Sequence, residues 1–437
     1  MEKTFKVTAS DGVDVKDYRF VPKIPKTIEK TGVNEILLND LIFKLLLNLG
    51  VLSGRQVAQE ICLPFKIIEK VLQDLKNQML IGHRSTTGLN DFTYFLTEEG
   101  RKQAVIARDA STYIGAAPVS FDEYLVSVDH QSIAKESPEL EDLKRAFSDL
   151  VLEQSIIDIL GPALNSGRGL FLHGNPGNGK TSIAKRVYKC FREKIYIPKT
   201  LLIEGQLIKL FDPQCHELTD QPDKKPISYD QRWVQIKRPA VIVGGEMDLS
   251  SVEINYNPST KLCEAPMQLK ANGGIFVVDD FGRQRIKPED LLNRWILPLE
   301  KRIDFLTLPN GIKVQVPFDE LVIFCTNIDP KNLLDEAFLR RIPYKIRVHD
   351  PSPEQFKQIM TFLAPKYGIE WDDSMMTYLL ERHFEGKRPM RCCHPRDILD
   401  QVVNAAAYRR TRPVLTREFI DLACMCYFTA MESVQSN

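Results

Sequence analysis

The chain has no excess of charge of either sign. Lys plus Arg and Asp plus Glu both number 58, so no global field draws it to nucleic acid or an anionic lipid surface, and only local patches could do so. It also lacks a long apolar run. The most hydrophobic stretch, ILLNDLIFKLLLNLGVL, is interrupted by Asn39, Asp40, Lys44 and Asn48, which suits a buried helix and argues against membrane insertion. MEKTFKVTASDG at the N-terminus has no apolar h-region of a signal peptide. The nine cysteines are odd in number and follow no framework spacing, so reduced thiols and a cytoplasmic location are expected. Cys392-Cys393-His394 and Cys424-Met425-Cys426 are close in sequence, but neither spacing is a zinc pattern. Small thiols packing a helical domain is the weightier reading. Repeats and low-complexity segments are absent too. What remains is ordinary globular composition, 43% apolar and 27% charged over 437 residues, with room for two or three domains.

Residues 1–33 are polar, contain Pro22 and Pro25, and read as an extended arm. An α+β unit is expected over 34–107. VNEILLNDLIFKLLLNLG is an amphipathic helix closed by Gly50, and SGRQVAQEICL is a short helix capped by Ser53. LPFKIIEKVLQDLKNQML places Ile67, Ile68, Val71, Leu72 and Leu75 on one helical face. A turn-rich hairpin segment and a helix starting at Thr97 follow. This order, ending in YFLTEEGRKQA, resembles the winged helix of bacterial regulators. Lys66, Lys70, Gln73 and Asn77 could reach base edges from the third helix. Glu69 and Asp74 share that surface, however, and charges over 34–109 cancel. Duplex DNA is therefore a weaker expectation than a protein partner.

Residues 108–145 read as a linker with a short helix, 146–348 as an α/β domain, and 349–437 as helices. GLFLHG, GGIFVVDD and ELVIFCTN are apolar strands separated by helical stretches, which implies a parallel sheet covered by helices. After the first strand, GNPGNGKT fits G-x-x-x-x-G-K-[ST] in full. Candidate ATP contacts are Gly174, Asn175, Pro176, Gly177, Asn178, Gly179, Lys180, Thr181 and Ser182. The glycines let backbone amides curl round phosphates, the following helix points its positive end at them, Lys180 neutralises β/γ charge, and the Thr181 hydroxyl coordinates Mg²⁺. The apolar run before Asp279 and Asp280 ends in acid. Asp279 is placed to hold Mg²⁺ and Asp280 to orient the attacking water.

These parts, followed by a strand ending at Thr326-Asn327 and the segment DEAFLRRIPYKI, resemble AAA+ ATPases over about residues 146–437. The resemblance implies a P-loop AAA+ sheet with a helical lid, preceded here by the winged-helix domain. It makes Asp279-Asp280 the Walker B pair and Asn327 the sensor 1 residue. Arg341, with Arg340 as alternative, becomes the arginine finger inserted by a neighbouring subunit, and Arg396 in CHPRDILDQ the lid arginine that contacts the γ-phosphate. It also implies that Ile156, Ile157 and Leu160 flank adenine, and that the chain forms a ring homo-oligomer, most often a hexamer.

The hairpin RIDFLTLPNGIKVQVPFDELVIFCTN and the strand-rich segment holding VGGE, YNPSTKLCEAP and LKANGG narrow the resemblance. They resemble the MoxR-like group of bacterial "predicted ATPases with chaperone activity". An unidentified protein client is implied, with Trp233, Tyr229 and Tyr256 as candidate gripping aromatics. A DNA-linked motor and a nucleotide-gated scaffold are the competing functions. Aspartate at 280 is one methylene shorter than the usual glutamate, and misplacing a catalytic group by about 1 Å can cost on the order of 10²-fold. A competent but slow ATPase is the expectation.

Overall fold

Polar caps set three of the four helix starts of the N-terminal module. In the computed structural model, which describes residues 20–88, 91–219 and 228–432, the Asn34 side chain accepts from the Leu37 amide and opens α1 (Glu35–Leu49). β1 (Leu52–Ser53) leads into α2 (Gly54–Ile61), which begins with a reciprocal capping box between Ser53 and Gln56. α3 (Phe65–Asn77) buries the Ile67, Ile68, Val71, Leu72 and Leu75 stripe. β2 (Ile81–Gly88) and β3 (Asp91–Leu96) pair antiparallel, and β1 joins β3 in the order β1-β3-β2. α4 (Glu98–Ala110), capped by Thr97, packs along α1.

The stretch expected as a linker is more ordered than its mixed composition implies. β4 (Val119–Ser120) and α5 (Phe121–Gln131) lie within it, and α6 (Leu140–Ala146) ends just beyond it. Ser120 caps α5, whose Tyr124 is buried and receives a hydrogen bond from the Asn272 amide at 2.9 Å. α7 (Gln154–Asn165) then precedes β5 (Leu170–His173) and α8 (Lys180–Ala184). The helix that follows the loop is short, ending at Ala184. The chain tightens to a 3₁₀ turn over Val187–Cys190, while Arg186 donates back to the Ser182 carbonyl and pairs with Asp149.

β6 (Lys194–Pro198), β7 (Thr200–Ile203), β8 (Gln206–Lys209) and β9 (Trp233–Lys237) precede β10 (Ala240–Val243), β11 (Asn255–Asn257) and β12 (Leu262–Glu264). α9 (Met267–Ala271), β13 (Ile275–Val278), α10 (Pro288–Arg294) and α11 (Ile296–Lys301) follow. β14 (Ile303–Thr307) and β15 (Lys313–Pro317) form the expected hairpin around Pro309-Asn310-Gly311. β16 (Leu321–Thr326), α12 (Pro330–Leu333), α13 (Glu336–Arg341) and β17 (Tyr344–Arg347) complete the α/β part. The C-terminal helices are α14 (Pro353–Leu363), α15 (Asp373–Leu379), α16 (His394–Tyr408) and α17 (Arg417–Glu432), around their own core.

The central sheet is parallel throughout, in the order β10-β13-β16-β5-β17. Its three inner strands are the three that the sequence pattern marks. The edges are not so marked: AVIV at 240–243 falls inside the strand-rich extra segment, and YKIR at 344–347 runs on from the helical DEAFLRRIP. Both are four-residue strands with exposed or half-buried positions, the weak signal an edge gives. A second sheet, β11-β12-β8-β7-β4, takes β11 and β12 from the extra segment, β4 from the expected linker, and β7 and β8 from residues 200–209 between them.

Arg232 joins these parts. It is 0% exposed, donates to the carbonyls of Thr31 (2.6 Å) and Pro118 (3.1 Å), and pairs with buried Asp230 at 2.7 Å. The described part of the expected arm is consequently packed down. Phe20 lies on Trp233 with centroids 5.5 Å apart, and the Asp230 amide donates to the Pro22 carbonyl. Trp233, 3% exposed, is core and not a gripping residue; of the three candidate aromatics Tyr256 is the exposed one. Among the described residues no helix is long and apolar enough to cross a membrane.

Replacing Arg232 by Met leaves the Asp230 carboxylate buried without its partner. We expect a loss of about 3–5 kcal/mol in urea unfolding, with early proteolysis before residue 33. A loss under about 1 kcal/mol would contradict this role for Arg232.

Candidate nucleotide-binding site

The loop between β5 and α8 is shaped by glycine and by what presses on it. Gly174 and Gly177 have φ of +142° and +83°, where side chains are strained. A Cβ on Gly174 would collide with the Val348 carbonyl oxygen, and one on Gly177 would lie 2.6 Å from the Cys393 sulfur. The residue following β17 and the lid therefore both touch the loop.

Three neighbouring parallel strands end here. β5 delivers the loop, β16 delivers Asn327, and β13 delivers Asp279 and Asp280. Clefts at the carboxyl ends of such strands are where α/β sheets bind ligands. Lys180 is only 7% exposed. Its Nζ donates to the carbonyls of Gly174 and Asn175, each at 2.9 Å, and to Asn327 Oδ1 at 2.6 Å. Burial lowers its pKa, with Asp280 and Asp279 among the groups opposing that shift. Asn327 Nδ2 in turn donates to Asp280 Oδ1 at 3.1 Å. Asp280 turns left-handed, with φ +49°, and its amide donates to Asp279 Oδ1 at 3.1 Å. The Thr181 hydroxyl donates to both Asp279 oxygens, at 2.9 and 3.0 Å.

These residues fit a magnesium nucleotide. The hydrogen bonds of the buried ammonium all go to neutral oxygens, so its charge is available to a polyphosphate. Thr181 and Asp279 offer hydroxyl and carboxylate oxygens side by side, the donor type Mg²⁺ takes. Among the described residues no group of three or more His, Cys, Asp or Glu side chains is arranged to hold a metal.

The lid is fastened to the loop through Asp350. Its carboxylate accepts from the amides of Asn175 (3.1 Å) and Asn178 (2.6 Å) and pairs with Arg391. Burial would raise the Asp350 pKa, but hydrogen bonds from Asn178, Asn175 and Arg391 outweigh it and hold the pKa low. The Cys393 amide donates to the Gly177 carbonyl at 2.9 Å. A cleft of about 370 Å³ opens beside the loop, walled by His173, Asn327, Arg347 and Asp350.

The remaining sequence candidates are placed as follows. Pro176 is exposed at the loop tip and Ser182 is half-buried on α8. Arg396, 62% exposed, pairs with its neighbour Asp397 at 2.8 Å; the lid arginine that reaches the loop is Arg391. Nothing in RCCHPRD separates the two, since only the turn before α16 decides which of them faces the loop. Arg341 Nε donates to Glu300 Oε1 at 2.6 Å, and Arg340 is exposed beside it. Ile156 and Leu160 are buried in the sheet core, while Ile157 is half-buried.

A domain of unknown function, DUF8689, matches residues 352–426, within the lid. No curated protein matches the chain. Among solved structures, NtrX from Brucella abortus is similar with a TM-score of 0.39 and 14% identity, covering 72% of this chain and 66% of NtrX, just under two thirds of its length. A point mutant of RuvB from Thermotoga maritima gives a TM-score of 0.34 and 14% identity, covering 69% of this chain and 73% of that one. Similarity this remote does not bear on activity.

The lid also carries a pH-sensitive group. His394 is buried against Phe384, Tyr427 and Phe428, and burial pushes its pKa down to about 4. Between about pH 6.5 and 4 the unfolded chain takes up a proton that the folded chain does not. The stability His394 confers is thus complete above about pH 6.5 and declines below it, by up to about 1.4 kcal/mol per pH unit. We expect the stability difference between the native protein and His394→Leu, from denaturant titrations, to fall with that sign as pH drops from about 6.5 to about 5. A pH-independent difference would contradict it.

Proposed function

We propose that the chain is a Mg²⁺-dependent ATPase of the AAA+ kind, converting ATP and water to ADP and phosphate. The observation that carries this reading is the paired network at the strand ends: Lys180 to Asn327 to Asp280, and Thr181 to Asp279. Lys180 holds the terminal phosphates. Asp280, oriented by the Asn327 amide, accepts a hydrogen bond from the attacking water and sets its line of approach. Mg²⁺ held by Thr181 and Asp279 would neutralise charge developing on the phosphates. Arg341 lies outside the network around its own loop, which suits a finger acting on a neighbouring subunit in a ring, taken as a hexamer.

The MoxR-like assignment rests on the motifs of residues 240–320 and on the β14–β15 hairpin. We infer a cytoplasmic remodelling machine working on a protein client, with the α1–α4 module as a winged helix that receives the client. The exposed face of α3 offers Lys66, Lys70, Gln73 and Asn77, bordered by half-buried Glu69 and Asp74. That mixed face supports a protein partner over duplex DNA.

Arg341→Ala should still bind ATP and lose turnover by roughly 10³–10⁵-fold, the span found for arginine fingers. Asp280→Asn should lose turnover with nucleotide affinity kept. Both are read as phosphate release against protein concentration. Native-like turnover in Asp280→Asn would remove its role on water, and native-like turnover in Arg341→Ala with Arg340 intact would move the finger elsewhere.

A further inference from the structure

The turn that follows β13 is pinned along its backbone. The Asp279 amide donates to the Val243 carbonyl at 2.8 Å, the Phe281 amide to the Cys325 carbonyl at 2.7 Å, and the Arg283 amide to the Asp280 carbonyl at 3.0 Å. A side chain completes the set. Gln284 Nε2 donates to the Asp279 carbonyl at 2.7 Å, and its Oε1 accepts from the Gly282 amide at 2.8 Å. A carbonyl on one side and an N–H on the other fix which way this amide points. Phe281, 1% exposed, anchors the turn from below, its ring 4.9 Å from Phe324 and 5.9 Å from Phe171 between centroids. Gly282 has φ +102°, and a Cβ there would lie 2.8 Å from Leu333 Cδ2. Between these restraints Asp280 is held at φ +49°, a conformation uncommon for residues with a side chain, which persists where its surroundings over-determine it.

We propose that Gln284 is a positioning residue for hydrolysis, locking the turn that aims the Asp280 carboxylate. The proposal rests on the ATPase reading and names a residue on which that site depends. The Asp279 carbonyl belongs to the peptide plane between residues 279 and 280, so the Gln284 bond to it sets the rotation from which Asp280 departs. The Gly282 amide belongs to the plane after Phe281. One half-buried side chain therefore grips the planes on both sides of the Asp280–Phe281 step. Both of its polar ends are occupied in doing so, and it acts through the backbone. Asp279 depends on it less, because the Asp279 amide is tied to β10 and its carboxylate to the Thr181 hydroxyl. Loss of Gln284 should consequently disturb the water-orienting acid and spare the magnesium ligand.

The test is steady-state phosphate release by the full-length protein, with ATP affinity, the Mg²⁺ midpoint and melting measured alongside. Native protein without turnover ends both the ATPase reading and this one. Gln284→Ala should lose about 10–100-fold in kcat, the order expected when a catalytic group is misplaced by about 1 Å. Its KM for ATP and its Mg²⁺ midpoint should stay within about twofold of native, the split expected when only the transition state is affected. Gln284→Glu keeps an acceptor for Gly282 but, when ionised, has no proton for the Asp279 carbonyl. It should show the same split, and it replaces the alanine variant if that one does not fold. In an Asp280→Asn background, adding Gln284→Ala should cost less than about twofold, since the group it aims is already lost. If Asp280→Asn has no measurable turnover, the crystal structure of Gln284→Ala decides: Asp280 should leave the left-handed region and lose its bond from Asn327. Undiminished kcat in Gln284→Ala, fully additive losses in the double variant, a Mg²⁺ midpoint that shifts with kcat, or an unchanged turn in that crystal structure would each overturn the proposal. The ATPase reading would still stand.

Discussion

The arrangement of the site depends on a buried ammonium. Lys180 sits under the loop with its charge turned inward, held by two loop carbonyls and Asn327. A lysine so placed is unfavourable unless something compensates for lost hydration. The fold supplies part of this through the dipoles of those three oxygens and through Asp279 and Asp280 nearby. The rest is available to a ligand. The strand order follows from the same need, since β5, β16 and β13 must be adjacent to deliver the loop, Asn327 and the two acids to one point.

Asp280 gives the site its particular character. Its left-handed backbone turns the chain directly after β13, and its carboxylate takes a hydrogen bond from Asn327. A short side chain on a turned backbone can be placed where a longer one on an extended strand would reach. On the proposed ATPase reading, aspartate at 280 bears on rate more than on identity.

The arginines divide by how they are held. Arg391 belongs to the loop through Asp350, whereas Arg341 and Arg168 belong to a separate cleft. The first couples the C-terminal helices to the loop between β5 and α8. The second group lines a cleft of its own, where Arg341 is paired with Glu300.

Much of this was legible in the sequence, for physical reasons. GNPGNGKT has few alternative uses, since glycines at 174 and 177 are required by both backbone shape and close neighbours. The apolar runs of β5, β13 and β16 are buried on both faces and so are continuous. The edge strands, the packing of Phe20 onto Trp233 and the pairing of Arg391 with Asp350 were not legible. Each is set by tertiary neighbours and not by local pattern. Direct calorimetric titration of ATP into the full-length protein, with and without Mg²⁺, and into Lys180→Ala, tests the central claim. The account predicts saturable binding strengthened by Mg²⁺ and weakened at least about tenfold in Lys180→Ala; equal binding by both proteins would contradict it.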